Sequence, residues 1–280
     1  MTGTVEAAYA RCEEITRTEA KNFSYGIRLL PPPKRQAMSA LYALARRIDD
    51  IGDGDAPADE KLAALTATRA ALGAPPPPDD PVLVAVADAA NRYPIPLAAF
   101  GELIEGCELD ARGATYETFE ETVAYCRRVA GSIGRLSLGV FGSTDPDAPR
   151  LADTLGVGLQ LTNILRDITT DRDDLGRVYV PREDLDRFGC APDLSGPLDA
   201  VAALVAYEAQ RAEGYFDTGL GLLRLLDRRS RACVAAMAGI YRRLLRRIEA
   251  EPSAVTTTRV SVPAWEKLVV AGRSLALGAA

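Results

Sequence analysis

The chain has 280 residues, 48% hydrophobic and 26% charged, with a formal net charge of −6 and a pI near 5.0. That is the balance of an ordinary globular protein, and it argues against nucleic acid as a partner. The five cysteines, Cys12, Cys107, Cys126, Cys190 and Cys233, form no CxxC pair, and histidine is absent. This leaves reduced thiols, and it excludes Ser-His-Asp and Cys-His catalysis, His-based zinc sites and His-containing di-iron bundles.

The polar opening, MTGTVEAAYARCEE, lacks the apolar stretch of a secretory leader, so a cytoplasmic location is expected. A first helical pattern runs from Thr4 to Leu29. Pro31-Pro32-Pro33 stops it and starts the next, Pro32–Asp50. A loop, GDGDAPAD, leads to Asp59–Leu72, and the stiff connector GAPPPPDDP leads to Pro81–Arg92 and Leu97–Asp110. Thr118-x-x-Glu121 is a capping box that opens Thr118–Phe141. Asp147–Thr170 follows, then an irregular charged stretch, DRDDLGRVYVPREDLDRFG. Leu198–Leu225, Arg228–Glu249 and Ala264–Leu277 complete the chain. Alanine and leucine dominate and alternating β-branched runs are scarce, so the fold class is all-α. With no domain linker and no tandem repeat, residues 1–280 read as a single helical domain. No apolar run reaches the roughly 18 residues of a membrane span. The last segment, apolar on one side, is expected to pack as a final helix, with peripheral contact at the inner membrane face left open.

Two acidic motifs stand out. In DDIGD, Asp49 and Asp53 are four apart, about 40° around a helix and roughly 6 Å along it. In NILRDITTD, Asn163, Asp167 and Asp171 repeat that spacing. Like charges so placed destabilise a helix unless a cation compensates. Oxygen ligands without His or Cys point to Mg²⁺, with Mn²⁺ as the alternative. Arg46 and Arg47 precede the first motif and Arg166 lies within the second, which suits an anion such as diphosphate. Helix geometry turns Asp50 and Arg47 outward, and Gly52 and Gly54 are read as the place where that helix ends.

These residues resemble the squalene/phytoene synthase family of head-to-head prenyltransferases. The resemblance runs from NFSYGIRLLPPPKRQAMSALYALARRIDDIGD through YCRRVAGSIG, LGVGLQLTNILRDITTD and GRVYVPREDL to RVSVPAWEKL. It implies the isoprenoid-synthase helical bundle with a central apolar cavity. It also implies Mg²⁺ ligation by Asp49, Asp53, Asn163, Asp167 and Asp171. Arg46, Gln160 and Arg166 match diphosphate-contacting positions. Glu19, Ala20, Lys21 and Asn22 lie on the segment that wraps the substrate, and Phe23 and Tyr42 line the same region. Tyr179 sits in the R-x-Y-x-P flap, here Arg177 to Pro181. Tyr241 and Arg259 match a late tyrosine and arginine near the diphosphate. The small residues Ala130, Gly131 and Gly134 permit close helix packing and, in the family, leave room for a prenyl chain.

The implied reaction condenses two farnesyl diphosphates to presqualene diphosphate, releasing diphosphate, with no NADPH expected. EAKNFSYGIRLLP and ALARRIDDIGDG look most like bacterial presqualene diphosphate synthases of hopanoid pathways, which hand their product to a second, squalene-forming enzyme. The alternatives are a phytoene or dehydrosqualene synthase, or a squalene synthase using NADPH. Arg127 and Arg128 stand where the family often has an aromatic residue. They suit either a second diphosphate or a solvated face beside Glu120 and Glu121.

Overall fold

The computed structural model describes residues 2–277, and their regular structure is helical throughout. Helix α1 (Thr2–Glu19) and the short α2 (Phe23–Ile27) lead into α3 (Pro32–Asp53). Next come α4 (Ala58–Leu72), α5 (Pro81–Arg92) and α6 (Ala99–Ala111). Helix α7 (Phe119–Cys126) passes through a π-helical turn, Arg127–Gly131, into α8 (Ser132–Phe141). The longest helix, α9 (Ala148–Leu175), is followed by α10 (Arg182–Phe188) and α11 (Leu198–Gly219). A 3₁₀ turn at Leu220–Leu225 leads to α12 (Arg228–Ala250), and another at Pro252–Thr256 leads to α13 (Ala264–Leu277).

One core joins α1 to α12, with Leu44, Ile48, Phe100, Ile104, Leu136, Leu165, Leu204, Phe216 and Ile248 among its members. Helix α9 packs on α8, the π turn, α11 and α12. Missing side chains let neighbours approach so closely. A Cβ on Gly156 would lie 2.8 Å from the backbone of Ala130 and Gly131, and one on Gly134 2.8 Å from the Ala152 carbonyl oxygen. The Ala130–Gly134 stretch therefore does serve close packing, as its composition suggested.

Helix starts follow the sequence signals. Thr118 and Glu121 close the expected capping box, and Asp80 and Asp227 accept from the first free N–H groups of α5 and α12. Three boundaries differ from the expectation. The first pattern breaks at 20–22, because Arg17, Thr18 and Glu19 are exposed and leave nothing apolar to hold the turn on the core. Helix α3 runs through Gly52 to Asp53. Gly52 is not a terminator; it is buried, and a Cβ there would lie 3.3 Å from that of Cys107. Helix α9 extends to Leu175, and the charged stretch after it contains α10. All five cysteines are free and buried. No helix among the described residues is long and apolar enough to cross a membrane.

Candidate active site

The acidic motifs meet at one end of the bundle. Asp49 and Asp53 lie on the last turns of α3, and Asn163, Asp167 and Asp171 lie along α9. Burial, then repulsion from Asp53, pushes the Asp49 carboxyl up to about 7. Burial, then repulsion from Asp167 and Asp53, does the same to Asp171, also to about 7. Asp53 thus bears on carboxylates of both motifs, and Arg177, bonded through its backbone to Asp171 and through its side chain to Asp53, joins them.

Three arginines divide this charge. Arg166 donates to Asp167 from Nε at 2.9 Å and also from Nη2. Arg259 adds bonds of 2.7 and 3.2 Å. Burial alone would raise the Asp167 carboxyl, but these bonds outweigh it and hold it low. Arg177 is the bridge between motifs. Gly176 ends α9 in the left-handed conformation (φ 66°), donating to the Arg172 carbonyl. The Arg177 N–H donates to the Asp171 carbonyl at 2.9 Å. Its guanidinium, 8% exposed, reaches Asp53 Oδ1 at 2.6 Å and the Gly52 carbonyl at 2.9 Å. The turn that closes the second motif's helix therefore carries the cation that caps the first. In sequence Arg177 is only the start of the flap.

A second acid, Asp110, was not singled out from the sequence. It lies near the end of α6 and accepts from Tyr125 at 2.9 Å and from Tyr179 at 3.1 Å. Burial pushes its carboxyl up to about 6, against the pull of Arg177 and the two hydroxyls. The Tyr125 and Tyr179 rings stack at 5.0 Å, with Tyr116 beside them. One signal was available in GCELD: carboxylates in the last turn of a helix oppose its dipole, so their placement needs another reason.

Some of the remaining predicted residues gather around Arg166, and Arg46, Arg47 and Arg128 do not. Phe23 packs on Tyr241 with ring centroids 5.5 Å apart. Tyr42 lies close enough to feel Arg46, Asp49, Glu19 and Tyr241, and burial pushes its hydroxyl up to about 12. The Lys21 carbonyl accepts from Lys267 of α13 at 3.3 Å. Burial, then the charges of Arg166 and Lys21, pull the Lys267 ammonium down. Lys21, Arg166 and Lys267 therefore form one basic group, of which Lys267 was not foreseen. Ala20 is buried, and its carbonyl accepts from Ser24 N–H where α2 begins, spanning Asn22. Arg46 is drawn to Asp50, 2.6 Å away on the exposed edge of α3. Arg47 grips Asp80 through two bonds of 2.7 and 2.9 Å, tying α3 to the start of α5. Arg128 lies 3.8 Å from Glu105 and donates to the Ala124 carbonyl, so its partner is on α6 and not Glu120 or Glu121.

The donor set suits a hard divalent cation. Asn163 Nδ2 donates to Gln160 Oε1 at 3.3 Å, leaving Asn163 Oδ1 buried without a partner. Two turns further along α9, Asp171 carries charge that no arginine takes up by hydrogen bond, and on α3 Asp49 has only the weak Cys107 thiol contact at 3.9 Å. As the side chains stand, no three acidic or thiol groups among the described residues close on a single point.

The squalene/phytoene synthase family model matches residues 16–266, which span every predicted site residue from Glu19 to Arg259. The chain belongs to the squalene/phytoene synthase family. Its coarse class is therefore that of the prenyl-transferring enzymes. The phytoene synthase of Mycobacterium tuberculosis is 48% identical over 278 residues, 97% of this chain and 92% of the relative. The 15-cis-phytoene synthase of Synechococcus elongatus is 36% identical, over 93% of this chain and 90% of the relative. A ligand-bound dehydrosqualene synthase superposes with a TM-score of 0.88 at 29% identity, covering 98% and 97% of the two chains. The squalene synthase HpnC of Alicyclobacillus acidocaldarius superposes at 0.78 and 32% identity, over 88% and 95%. This family fold is the all-helical bundle expected. The leaning towards hopanoid presqualene diphosphate synthases is not what the relatives favour, since those named phytoene synthase match more strongly in sequence.

Proposed function

We propose that this member of the family is a phytoene synthase, joining two C20 allylic diphosphates head to head with loss of diphosphate. The observation that carries the chemistry is the pair of acidic clusters with Arg166, Arg177 and Arg259 between and beside them. The choice of C20 substrate and C40 product is supported by the phytoene synthase relatives.

Asp49, Asp53, Asn163, Asp167 and Asp171 would hold Mg²⁺, or Mn²⁺ in its place. When bound, the ion supplies Lewis-acid stabilisation to a departing diphosphate. Arg166, Arg259, Lys21 and Lys267 bind and orient that diphosphate, and Arg177 keeps Asp53 in position. Phe23, Tyr42 and Tyr241 form an aromatic wall beside the reacting carbons, keeping water from an allylic cation. Proton loss needs an acceptor in a chain without histidine. The Asp110 carboxylate accepts from Tyr125 at one oxygen and from Tyr179 at the other, on the flap side of the site, and suits that role. NADPH has no part in this scheme.

A second reading, presqualene diphosphate formation with hand-over to a squalene-forming enzyme, draws on the likeness to HpnC. Incubation of pure enzyme with Mg²⁺ and either geranylgeranyl or farnesyl diphosphate, without NADPH, separates the two. A C40 hydrocarbon from the C20 substrate is the expected product. A retained C30 diphosphate formed only from the C15 substrate overturns the phytoene reading and supports the second.

A further inference from the structure

Helix α13 has two faces. Its inner side packs on α12 and α2, where Val270, Ala271 and Ser274 are buried and Lys267 reaches the Lys21 carbonyl. Its outer side is apolar. Trp265 is 65% exposed, Leu268 61% and Val269 41%, and Gly272 and Ala276 continue the same stripe at helical spacing. Among the described residues large apolar side chains so exposed are few, and three of them share one helix face.

The charge around that face is as uneven. Residues 228–277 hold ten Arg and Lys against three Glu; with Arg242 taken up by Glu213 and Asp217, and Arg259 by Asp167, eight cations stand against those three acids. Glu266, the acid within α13, is taken up by Arg247. Arg273 on α13 and Arg246 on α12 are exposed, the latter one turn beyond Arg243, whose guanidinium reaches the Glu266 carbonyl. An exposed Trp-Leu-Val stripe flanked by cations is the pattern of a helix lying in a lipid–water interface. There the ring sits at headgroup depth and each nearby cation adds attraction to anionic lipid.

We propose that the outward face of α13 docks on an anionic lipid bilayer, seating Trp265, Leu268 and Val269 among the headgroups. A second copy of the chain is the poorer occupant. One stripe on a 14-residue helix falls short of the roughly 800 Å² per partner of a stable interface, and two such faces would oppose like charge. The inference stands apart from the reaction proposed above, since it uses neither the metal nor the substrate.

Trp265 is the single tryptophan of the chain, so intrinsic fluorescence reports this face alone. The experiment titrates the protein with vesicles of phosphatidylglycerol and phosphatidylcholine, with brominated acyl chains as depth quenchers. Anionic vesicles are expected to shift the Trp265 emission to the blue, to quench it, and to sediment the protein, with loss of binding at high salt. The double variant Leu268→Glu, Val269→Glu should bind roughly tenfold more weakly or worse, with an unchanged circular dichroism spectrum and melting temperature. Arg246→Glu with Arg273→Glu should lose the preference for anionic lipid. Emission indifferent to vesicles, equal partition into purely zwitterionic vesicles, or undiminished binding by the Glu double variant overturns the proposal. So does a blue shift that follows protein concentration without lipid, because a second copy would then cover the face.

Discussion

Asp110 shows what a single side chain contributes when several elements converge on it. Its carboxylate comes from α6, while its hydroxyl partners come from α7 and the flap. Replacing it with Asn leaves the volume intact but removes the proton acceptor. Asp110→Asn should lower kcat by about 10²–10⁴ while leaving the melting temperature equal or slightly higher, since a disfavoured buried charge is also removed. Product formation and thermal melting on the same preparation check this, and turnover within a fewfold of the unaltered chain would sink the role. The aspartates of the two motifs were legible in the sequence because they repeat at helical spacing within their own helices. Asp110 and Lys267 were not, because neither repeats at helical spacing with its functional partners, which arrive from other elements. Arg177 was visible as part of a motif, but its bond to Asp53 depends on a left-handed turn at Gly176 that spacing does not reveal.

At the scale of helices, close approach and buried charge decide what each element tolerates. Gly156→Ala would push a methyl to 2.8 Å from the π-turn backbone and should cost about 1–3 kcal/mol. Gly214 lies in the exposed middle of α11, and a methyl there would meet nothing within 4 Å, so Gly214→Ala should stabilise by about 0.5–1 kcal/mol. Urea unfolding of both variants tests the pair, and equal shifts would refute the packing account. Helix α10 is latched to α11 by Arg211, which donates to Asp184 at 2.5 Å and to Glu208 at 3.0 Å. Burial, against the pull of Arg211 and with repulsion from Asp184, pushes the Glu208 carboxyl up to about 8. Its folded pKa lies above its unfolded one, so its share of stability is complete below the usual carboxylate range and fades as pH rises through about 8. The melting temperature should fall between about pH 4.5 and about pH 8 and level off above that, and Glu208→Gln should flatten that slope. Most helices could be drawn from periodicity and caps. Helix α10 was hidden because its seven residues are dominated by charge, and it is held by contacts from elsewhere: this latch, the core side chain Leu185, and Phe188 packed on Tyr207.

Across the whole molecule the two acidic motifs form a linkage device. The fold gathers Asp49, Asp53, Asp167 and Asp171 at one end of the bundle, where burial first and mutual repulsion second raise the Asp49 and Asp171 carboxyls. Arg166, Arg177 and Arg259 offset part of that repulsion, through Asp167 and Asp53. What they leave is a demand for positive charge beside Asn163 Oδ1, together with a basic group of Lys21, Arg166 and Lys267 suited to an anion. A cation and a diphosphate bound together satisfy both demands, whereas either alone satisfies one. Ligands that bind only the folded state stabilise it by about 2.7 kcal/mol at a hundredfold excess over Kd, which at this chain length moves the melting temperature by roughly 5 °C. Mg²⁺ with inorganic diphosphate should therefore raise the melting temperature by more than the sum of the two added singly. In the Asp49→Asn, Asp171→Asn chain the starting temperature should be higher, because the repulsion is gone, and the synergy should vanish. A shift that is merely additive in the unaltered chain, or that persists in the double variant, would mean that the aspartates do not hold the ion.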